Sequence, residues 1–392
     1  MLTDKIAILG AAAKYDVCAS SSSTQQKIGK SSLGRAAPSG VCHSFTPDGR
    51  CISLFKVLMT NECLKDCAYC PNRVQRDIPR TSFSAEELST LFLDLYRKNY
   101  VEGLFLSSGV KDNCHSSMTD MLKTVEILRH KHKFGGYIHL KILPGCQSEL
   151  IEQAAGLANR ISLNMEVPNQ QRLSTLSQTK SFQRDLLDPM ATIAKVLGSH
   201  PGTTHTTQFI VGATGESDHE ILHSTTNLYA KYQLKRAYFS AFQPVEQTPL
   251  ATRPSAPLIR ENRLYQSDFL LRLYGFRLED LVFDSSGDLD LTLDPKLMFA
   301  IKNPALFPIE VNKASFAQLL RVPGIGPRSA ERILKLRRQF NLTMPTELKN
   351  LGVVTKRALY YLTINGKHFA NLNWLAKPRK EAFQQISLWN SI

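Results

Sequence analysis

Between residues 52 and 274 the chain alternates short apolar runs with amphipathic stretches of helical period, and this alternation constrains its fold more than any other feature. Residues 52–59, 103–106, 137–143, 161–167, 206–211 and 237–242 have the length and composition of strands. Residues 84–98, 118–133, 149–156, 182–197, 218–232 and 258–274 read as helices, the first opening on Ser84 and Glu87 at capping-box spacing. Strands separated by helices pair in parallel, since each helix carries the chain back to where the next strand begins. Six such units predict a parallel sheet with helical crossovers that falls short of a closed eight-fold barrel. In parallel barrels the chemistry gathers in the loops after the strands.

The first of those loops is Asn61-Glu62-Cys63-Leu64-Lys65-Asp66-Cys67-Ala68-Tyr69-Cys70, in which three cysteines are spaced Cys-x3-Cys-x2-Cys. Three thiolates this close serve one centre or need three separate explanations. A structural zinc site closes its tetrahedron with a fourth protein ligand. A ferredoxin-type cluster takes four cysteines at other spacings. Three cysteines leave one iron of a 4Fe–4S cluster open, and an open position is what catalysis requires. A zinc knuckle or a run of buried cysteines is the alternative.

The spacing, with an aromatic (Tyr69) just before the third cysteine, resembles the radical S-adenosylmethionine (SAM) superfamily. The resemblance covers about residues 42–276 and implies an α/β fold, a partial (β/α)6 radical SAM barrel. It implies that Cys63, Cys67 and Cys70 hold a 4Fe–4S cluster and that S-adenosyl-L-methionine chelates the open iron. Reductive cleavage would then give a 5′-deoxyadenosyl radical that abstracts hydrogen, the hard chemistry belonging to the cofactors. By the same resemblance, Ser107, Ser108 and Gly109 form a variant of the family's Gly-Gly-Glu element, which receives the methionyl amino group. No acid follows Gly109, so hydroxyls and backbone carbonyls are expected to make that contact. Asn164 and Glu166 stand where the family holds the ribose of SAM. Gly212, with Gly215 and Glu216, stands where a small residue admits the adenine. Ordinary loop polarity is the bland reading of each. Cys114 and Cys146, in the loops after the second and third strands, are candidate hydrogen-atom donors, although inert buried cysteine is commoner. Cys42, His43 and Cys51 flank a Pro47-Asp48-Gly49 turn and read as turn and core rather than as further ligands.

The net charge of +14 is unevenly placed. Residues 311–380 hold 14 Lys and Arg against two acids, +12, which leaves +2 for the rest. A polyanionic partner, most simply nucleic acid, is implied for that segment. Within it, residues 312–333 read as helix, glycine hairpin, helix, and resemble the helix-hairpin-helix family of DNA-binding modules. Gly324 and Gly326 allow a tight turn, so that the N–H groups opening the next helix can face a phosphate. Arg328, Arg332 and Lys335, with Arg337 and Arg338, add cationic cover. Residues 346–362 look like a degenerate second copy. A packing module for proteins is the alternative.

The expected domains are an N-terminal helix and Ser-rich loop (1–41), the barrel (42–276), a connecting segment (277–310), a small all-α helix-hairpin-helix domain (311–366) and a tail (367–392). In that tail, Gln385-Ile386-Ser387-Leu388-Trp389 resembles the peptide by which bacterial DNA enzymes dock on the sliding clamp, with Gln385, Leu388 and Trp389 as its anchors. Taken whole, the chain resembles the radical SAM proteins associated with DNA modification or repair. That resemblance implies DNA as partner, an electron donor such as flavodoxin or ferredoxin, and a uracil-DNA-glycosylase-like protein by association. An RNA-modifying enzyme and a non-catalytic iron–sulfur DNA-binding protein are the alternatives. No apolar run reaches membrane-spanning length, no signal pattern opens the chain, and eight cysteines over 392 residues are no disulfide framework. A cytoplasmic protein is expected.

Overall fold

The computed structural model of the chain describes residues 2–13, 40–45 and 51–370. The Ser-rich stretch, the Pro47-Asp48-Gly49 turn and the sliding-clamp peptide with Gln385, Leu388 and Trp389 lie outside the described residues. The chain divides into two compact units between Glu261 and Asn262.

The first unit opens with α1 (Leu2–Ala13), β1 (Val41–Phe45) and β2 (Cys51–Leu58). The chain continues through α2 (Ala85–Arg97), β3 (Gly103–Ser107), α3 (Cys114–Glu126), β4 (Tyr137–Lys141), α4 (Ser148–Leu157) and β5 (Arg160–Ser162). It ends with α5 (Gln170–Leu176), α6 (Asp188–Leu197), β6 (Thr204–Val211), α7 (Asp218–Tyr232), β7 (Arg236–Ala241) and the start of α8 (Leu258–Leu273). One seven-stranded sheet runs β1 to β7 in chain order, antiparallel only at β1–β2. The six strands β2–β7 pair in parallel, from Leu54 beside Gly103 to Val211 beside Ala241, and β7 does not pair back onto β1. This is the open (β/α)6 barrel. The strands are buried, and Leu54, Phe55, Leu104, Leu106, Ile138, Leu140, Ile161, Phe209 and Phe239 are at most 1% exposed, with polar side chains such as His139, His205 and Gln208 buried among them. Each such side chain stabilises the fold by about 1.5–3 kcal/mol, which fixes the register of the strands and the position of the loops above them.

Most elements lie within a few residues of expectation, and the departures have local causes. Ser84 and Glu87 form the expected capping box. The helix expected from 118 begins at Cys114, because Asn113 caps it through the N–H of Ser116 at 2.8 Å. The strand expected to reach 167 stops at Ser162, and only one bridge, Glu166 to Phe209, resumes its pairing. Glu166 has φ +64°, a left-handed conformation that no strand continues through. α5 lies in a stretch not expected to be helical, capped by Asn169.

The second unit holds α9 (Pro295–Lys302), β8 (Ile309–Glu310), α10 (Phe316–Arg321), α11 (Pro327–Leu336), α12 (Pro345–Asn350), α13 (Thr355–Ala358), β9 (Leu362–Ile364) and β10 (Lys367–His368). The last part is thus not purely helical, since β10, β9 and β8 form a small sheet. Residues 277–310 are packed structure rather than a plain connection. Phe276 and Phe299 meet edge to face at 5.1 Å, and the Arg321 guanidinium lies 3.9 Å from the Phe276 ring centre and bonds Asp280. Leu319, Leu320, Val322, Ile325, Ala330, Ile333, Leu348, Val353 and Ala358 form the core between the two hairpins. Gly324 (φ +90°) and Gly352 (φ +85°) turn them, and Val354 N–H donates to the Gly324 carbonyl at 2.9 Å. Among the described residues no helix is long and apolar enough to cross a membrane.

Candidate cofactor cleft and nucleic-acid interface

The loop after β2 is held at both ends. Arg80 donates to the carbonyls of Asn61, Asn72, Arg73 and Arg76 at 2.5–2.9 Å, so one guanidinium ties together four carbonyls of the loop. The Asn61 side chain bonds both Pro79 O and Thr81 N–H at 2.8 Å. On the other side Leu64 N–H donates to Val110 O at 2.7 Å, and Gly109 N–H to Thr60 O at 2.8 Å. Gly109 is small for a visible reason: a Cβ there would lie 2.2 Å from the Glu62 carbonyl oxygen.

These restraints bring Cys63, Cys67 and Cys70 to one cleft at the C-terminal ends of the strands, with Tyr69, Ser107, Ser108, Gly109, Asn164 and Glu166. Backbone N–H groups of Lys65 and Val110 point at Cys63 Sγ (3.4 and 3.5 Å), and that of Asn72 at Cys70 Sγ (3.4 Å), the bonds that tune a metal-bound thiolate. Burial pushes the Cys67 and Cys70 thiols up, as it does the Tyr69 hydroxyl. Such thiols give up their protons to a metal rather than to water. Among the described residues no three His, Cys, Asp or Glu side chains converge closely enough to hold a single ion. The cysteines share a cleft without meeting at a point.

The segment after α5 closes one side of the cleft. The Asp66 carboxylate accepts from Ser177 Oγ, Gln178 N–H and Thr179 Oγ1 at 2.5–2.9 Å. Burial opposes the charge of Asp66, but these bonds outweigh it and hold the carboxyl at about 2. Ala68 N–H donates to Leu176 O at 2.8 Å. The segment so anchored delivers Lys180, which sequence reasoning missed. Its side chain is 6% exposed and its ammonium lies 3.9 Å from Glu166. Burial disfavours that charge, yet Cys67 and Glu166 beside it hold its pKa above the ordinary value.

Three polar atoms in this cleft are buried and lack a protein hydrogen bond: Ser108 Oγ, Glu166 Oε2 and Gln208 Nε2. Unsatisfied buried groups cost about 1–3 kcal/mol each. A ligand with acceptors and donors of its own would satisfy them. The donor set of three cysteines, orphaned polar atoms and a buried cation therefore fits a cluster with an amino-acid-bearing cofactor. Gln208, in the middle of β6, was also missed; its one signal was a large polar side chain inside a buried strand.

Other sequence candidates fall elsewhere. Gly212 does not line the cleft: its carbonyl accepts from Arg253 at 3.0 Å, and the Glu216 carboxylate bonds the turn at Gly212 and Thr214. Cys114 and Cys146 do not line it either. The Cys114 thiol donates to Leu143 O at 3.8 Å and that of Cys146 to Gln147 O at 3.6 Å; each thiol acts on the other, lowering Cys114 and raising Cys146. Cys42 is buried against Ile52, Leu54 and Phe105, as core.

In the second unit, α11 starts at the hairpin with Gly326 as its N-cap and no side-chain cap. The first N–H groups of such a helix have no intrahelical acceptor. Arg328 and Lys335 are exposed beside it. Arg332 leans on the second hairpin, 3.5 Å from Leu351 O, and Arg337 is committed to Val311 O at 3.0 Å.

Residues 308–360 match the helix-hairpin-helix motif family. No curated protein matches the chain. Among solved structures, methylornithine synthase (PylB) is similar at 14% identity over 53% of this chain and 59% of that one, with a TM-score of 0.45. The FeFe-hydrogenase maturase HydG from Carboxydothermus hydrogenoformans shares 12% over 55% of this chain and 50% of its own, at 0.44. A radical SAM methyltransferase from Sphaerobacter thermophilus shares 14% over 59% and 71%, at 0.44. The chain spans about half the length of the hydrogenase maturase.

Proposed function

We propose that the chain is a radical SAM enzyme acting on nucleic acid, DNA in the first place, for its modification or repair. The observation that carries this reading is the cleft itself, where Cys63, Cys67 and Cys70 stand with the unsatisfied atoms Ser108 Oγ, Glu166 Oε2 and Gln208 Nε2 above a parallel sheet. When bound, a 4Fe–4S cluster with SAM supplies a 5′-deoxyadenosyl radical able to take hydrogen from an unactivated carbon. Cys63, Cys67 and Cys70 hold the cluster, and Gly109 leaves room for the loop that carries them. Ser108, Glu166, Gln208 and Asn164 bind the polar groups of SAM. Lys180 offsets the negative charge that the thiolates and Glu166 gather in a buried place. The surrounding apolar walls keep water from a reactive intermediate.

The helix-hairpin-helix domain and the +12 charge of residues 311–380 support nucleic acid as substrate. Its phosphate contacts would position the chain without reading sequence. A target base must leave the duplex stack to reach the cleft. A flavodoxin or ferredoxin would supply the electron, the tail peptide would engage a sliding clamp, and a uracil-DNA-glycosylase-like protein would act in the same pathway, in the cytoplasm. RNA is the second reading, since cationic cover suits either polymer.

The test is anaerobic reconstitution followed by SAM, dithionite and single-stranded or duplex DNA, or transfer RNA, with 5′-deoxyadenosine quantified. Formation that needs all three cysteines, rises with DNA and leaves a mass change in the DNA is expected. A fully loaded cluster that never cleaves SAM would leave a non-catalytic iron–sulfur protein.

A further inference from the structure

The second unit has a cavity of its own, of 750 Å³, lined by the hairpin backbone from Gly324 to Ser329 on one side and by the C-terminal end of α8 on the other. That helix end presents Phe269 (40% exposed) and Leu273 (50% exposed), followed by Tyr274. Part-exposed large apolar side chains beside the hairpin, Phe269 with the Arg272 guanidinium 5.5 Å from its ring centre, are not what a phosphate contact alone requires. The ring of Tyr274 is backed by Lys296, whose Nζ lies 4.7 Å from the ring centre and donates to the Ile325 carbonyl. A buried lysine thus fixes both the aromatic wall and the hairpin. Arg328 and Arg357 line the same cavity; Asp294, the carboxylate there, is paired with Arg357. The buried Nε of Arg357 has no hydrogen-bond partner.

Phosphate donors, cations and an aromatic wall within one cavity match the parts of a single nucleotide. We propose that this cavity receives the base of an unpaired nucleotide whose phosphate rests on the hairpin, so that the second unit binds single-stranded nucleic acid in preference to duplex. In a duplex, a phosphate held by the hairpin leaves its base stacked inside the helix, and the apolar wall has nothing to cover. In a single strand the base is free to turn onto Phe269, Leu273 and Tyr274, and stacking of this kind tolerates any sequence. This inference rests on the nucleic-acid reading above and names a docking site distinct from the cysteine cleft.

Fluorescence anisotropy of the full chain tests it with three probes: a single strand of about twelve nucleotides, the same strand with abasic sugars at its centre, and its duplex. The wild type is expected to bind the intact strand about tenfold more tightly than the abasic one. Phe269→Ala with Leu273→Ala should bring the intact strand down to the abasic level while leaving the abasic affinity unchanged. Arg328→Ala should weaken both single strands alike, as a phosphate contact does. Equal wild-type affinity for intact and abasic strands would overturn the base site while leaving the nucleic-acid reading intact. Binding to none of the probes would overturn both.

Discussion

Replacing Gly109 by alanine would test how the cysteine loop is held. The glycine has no left-handed φ, so alanine suits its backbone and only contact matters. Its Cβ would sit 2.2 Å from Glu62 O and 3.2 Å from Cys63 Cβ, so the loops must part by roughly 0.8 Å to reach even 3.0 Å. They cannot part freely, because the Gly109–Thr60 and Leu64–Val110 bonds join them at 2.8 and 2.7 Å. Losing two net backbone bonds costs about 2 kcal/mol and overpacking at least about 1 more, so a loss of no less than about 3 kcal/mol is expected. In a unit of this size that is roughly 6–12 °C in melting temperature. Circular dichroism of the cluster-free protein reads the melting point, and iron and sulfide analysis after anaerobic reconstitution reads the cluster. Both should fall. Gly135→Ala is the control, since nothing lies within 4 Å of a Cβ there. A Gly109→Ala protein that melts like wild type and loads a full cluster would refute the argument that contact at this residue holds Cys63 in place.

Arg80→Lys replaces a fork that reaches four carbonyls with a point donor, and should cost about 3 kcal/mol in urea unfolding and lower cluster retention; unchanged unfolding would remove Arg80 from the scaffold. Gln208→Leu should keep or raise the melting temperature, because it deletes an unsatisfied buried N–H, while weakening SAM binding about tenfold by calorimetry; equal SAM affinity would take Gln208 out of the cofactor site. Burial, with Arg357 adding to it, lowers Lys296 to about 7, so between about pH 10.5 and 7 the unfolded chain takes up a proton that the folded one refuses. Stability of the second unit should therefore fall as pH drops from 10 to 7 and level off below, and Lys296→Met should flatten that slope. A wild-type profile already flat across this window would contradict the burial of an uncharged Lys296.

The order of strands and helices was legible because each is a local pattern of apolar period, and six units in succession admit few topologies. The cysteine loop and the glycine hairpin were legible for the same reason: their residues act together while close in the chain. Element ends were harder, since caps such as Asn113 and the left-handed turn at Glu166 depend on single side chains and backbone angles. Gly212 shows the limit of reasoning by position along a strand, for its turn is filled by Glu216 from four residues away.

What the sequence determined by itself was the set of local devices: three cysteines on one loop after a strand, a parallel open barrel, a hairpin under a concentration of positive charge. The tertiary structure alone decided which distant side chains stand around them. Lys180 reaches the cleft only because Asp66 anchors residues 177–179, more than a hundred positions away in the chain. Gln208 enters from the fifth parallel strand, whereas the Cys114 and Cys146 thiols bond the backbone at Leu143 and Gln147 outside the cleft. Phe269 and Tyr274 meet the hairpin across some fifty residues. Spacing along a chain encodes neighbours within a turn or a loop, whereas neighbours across a sheet are set by pairing and burial, which no short stretch of sequence records.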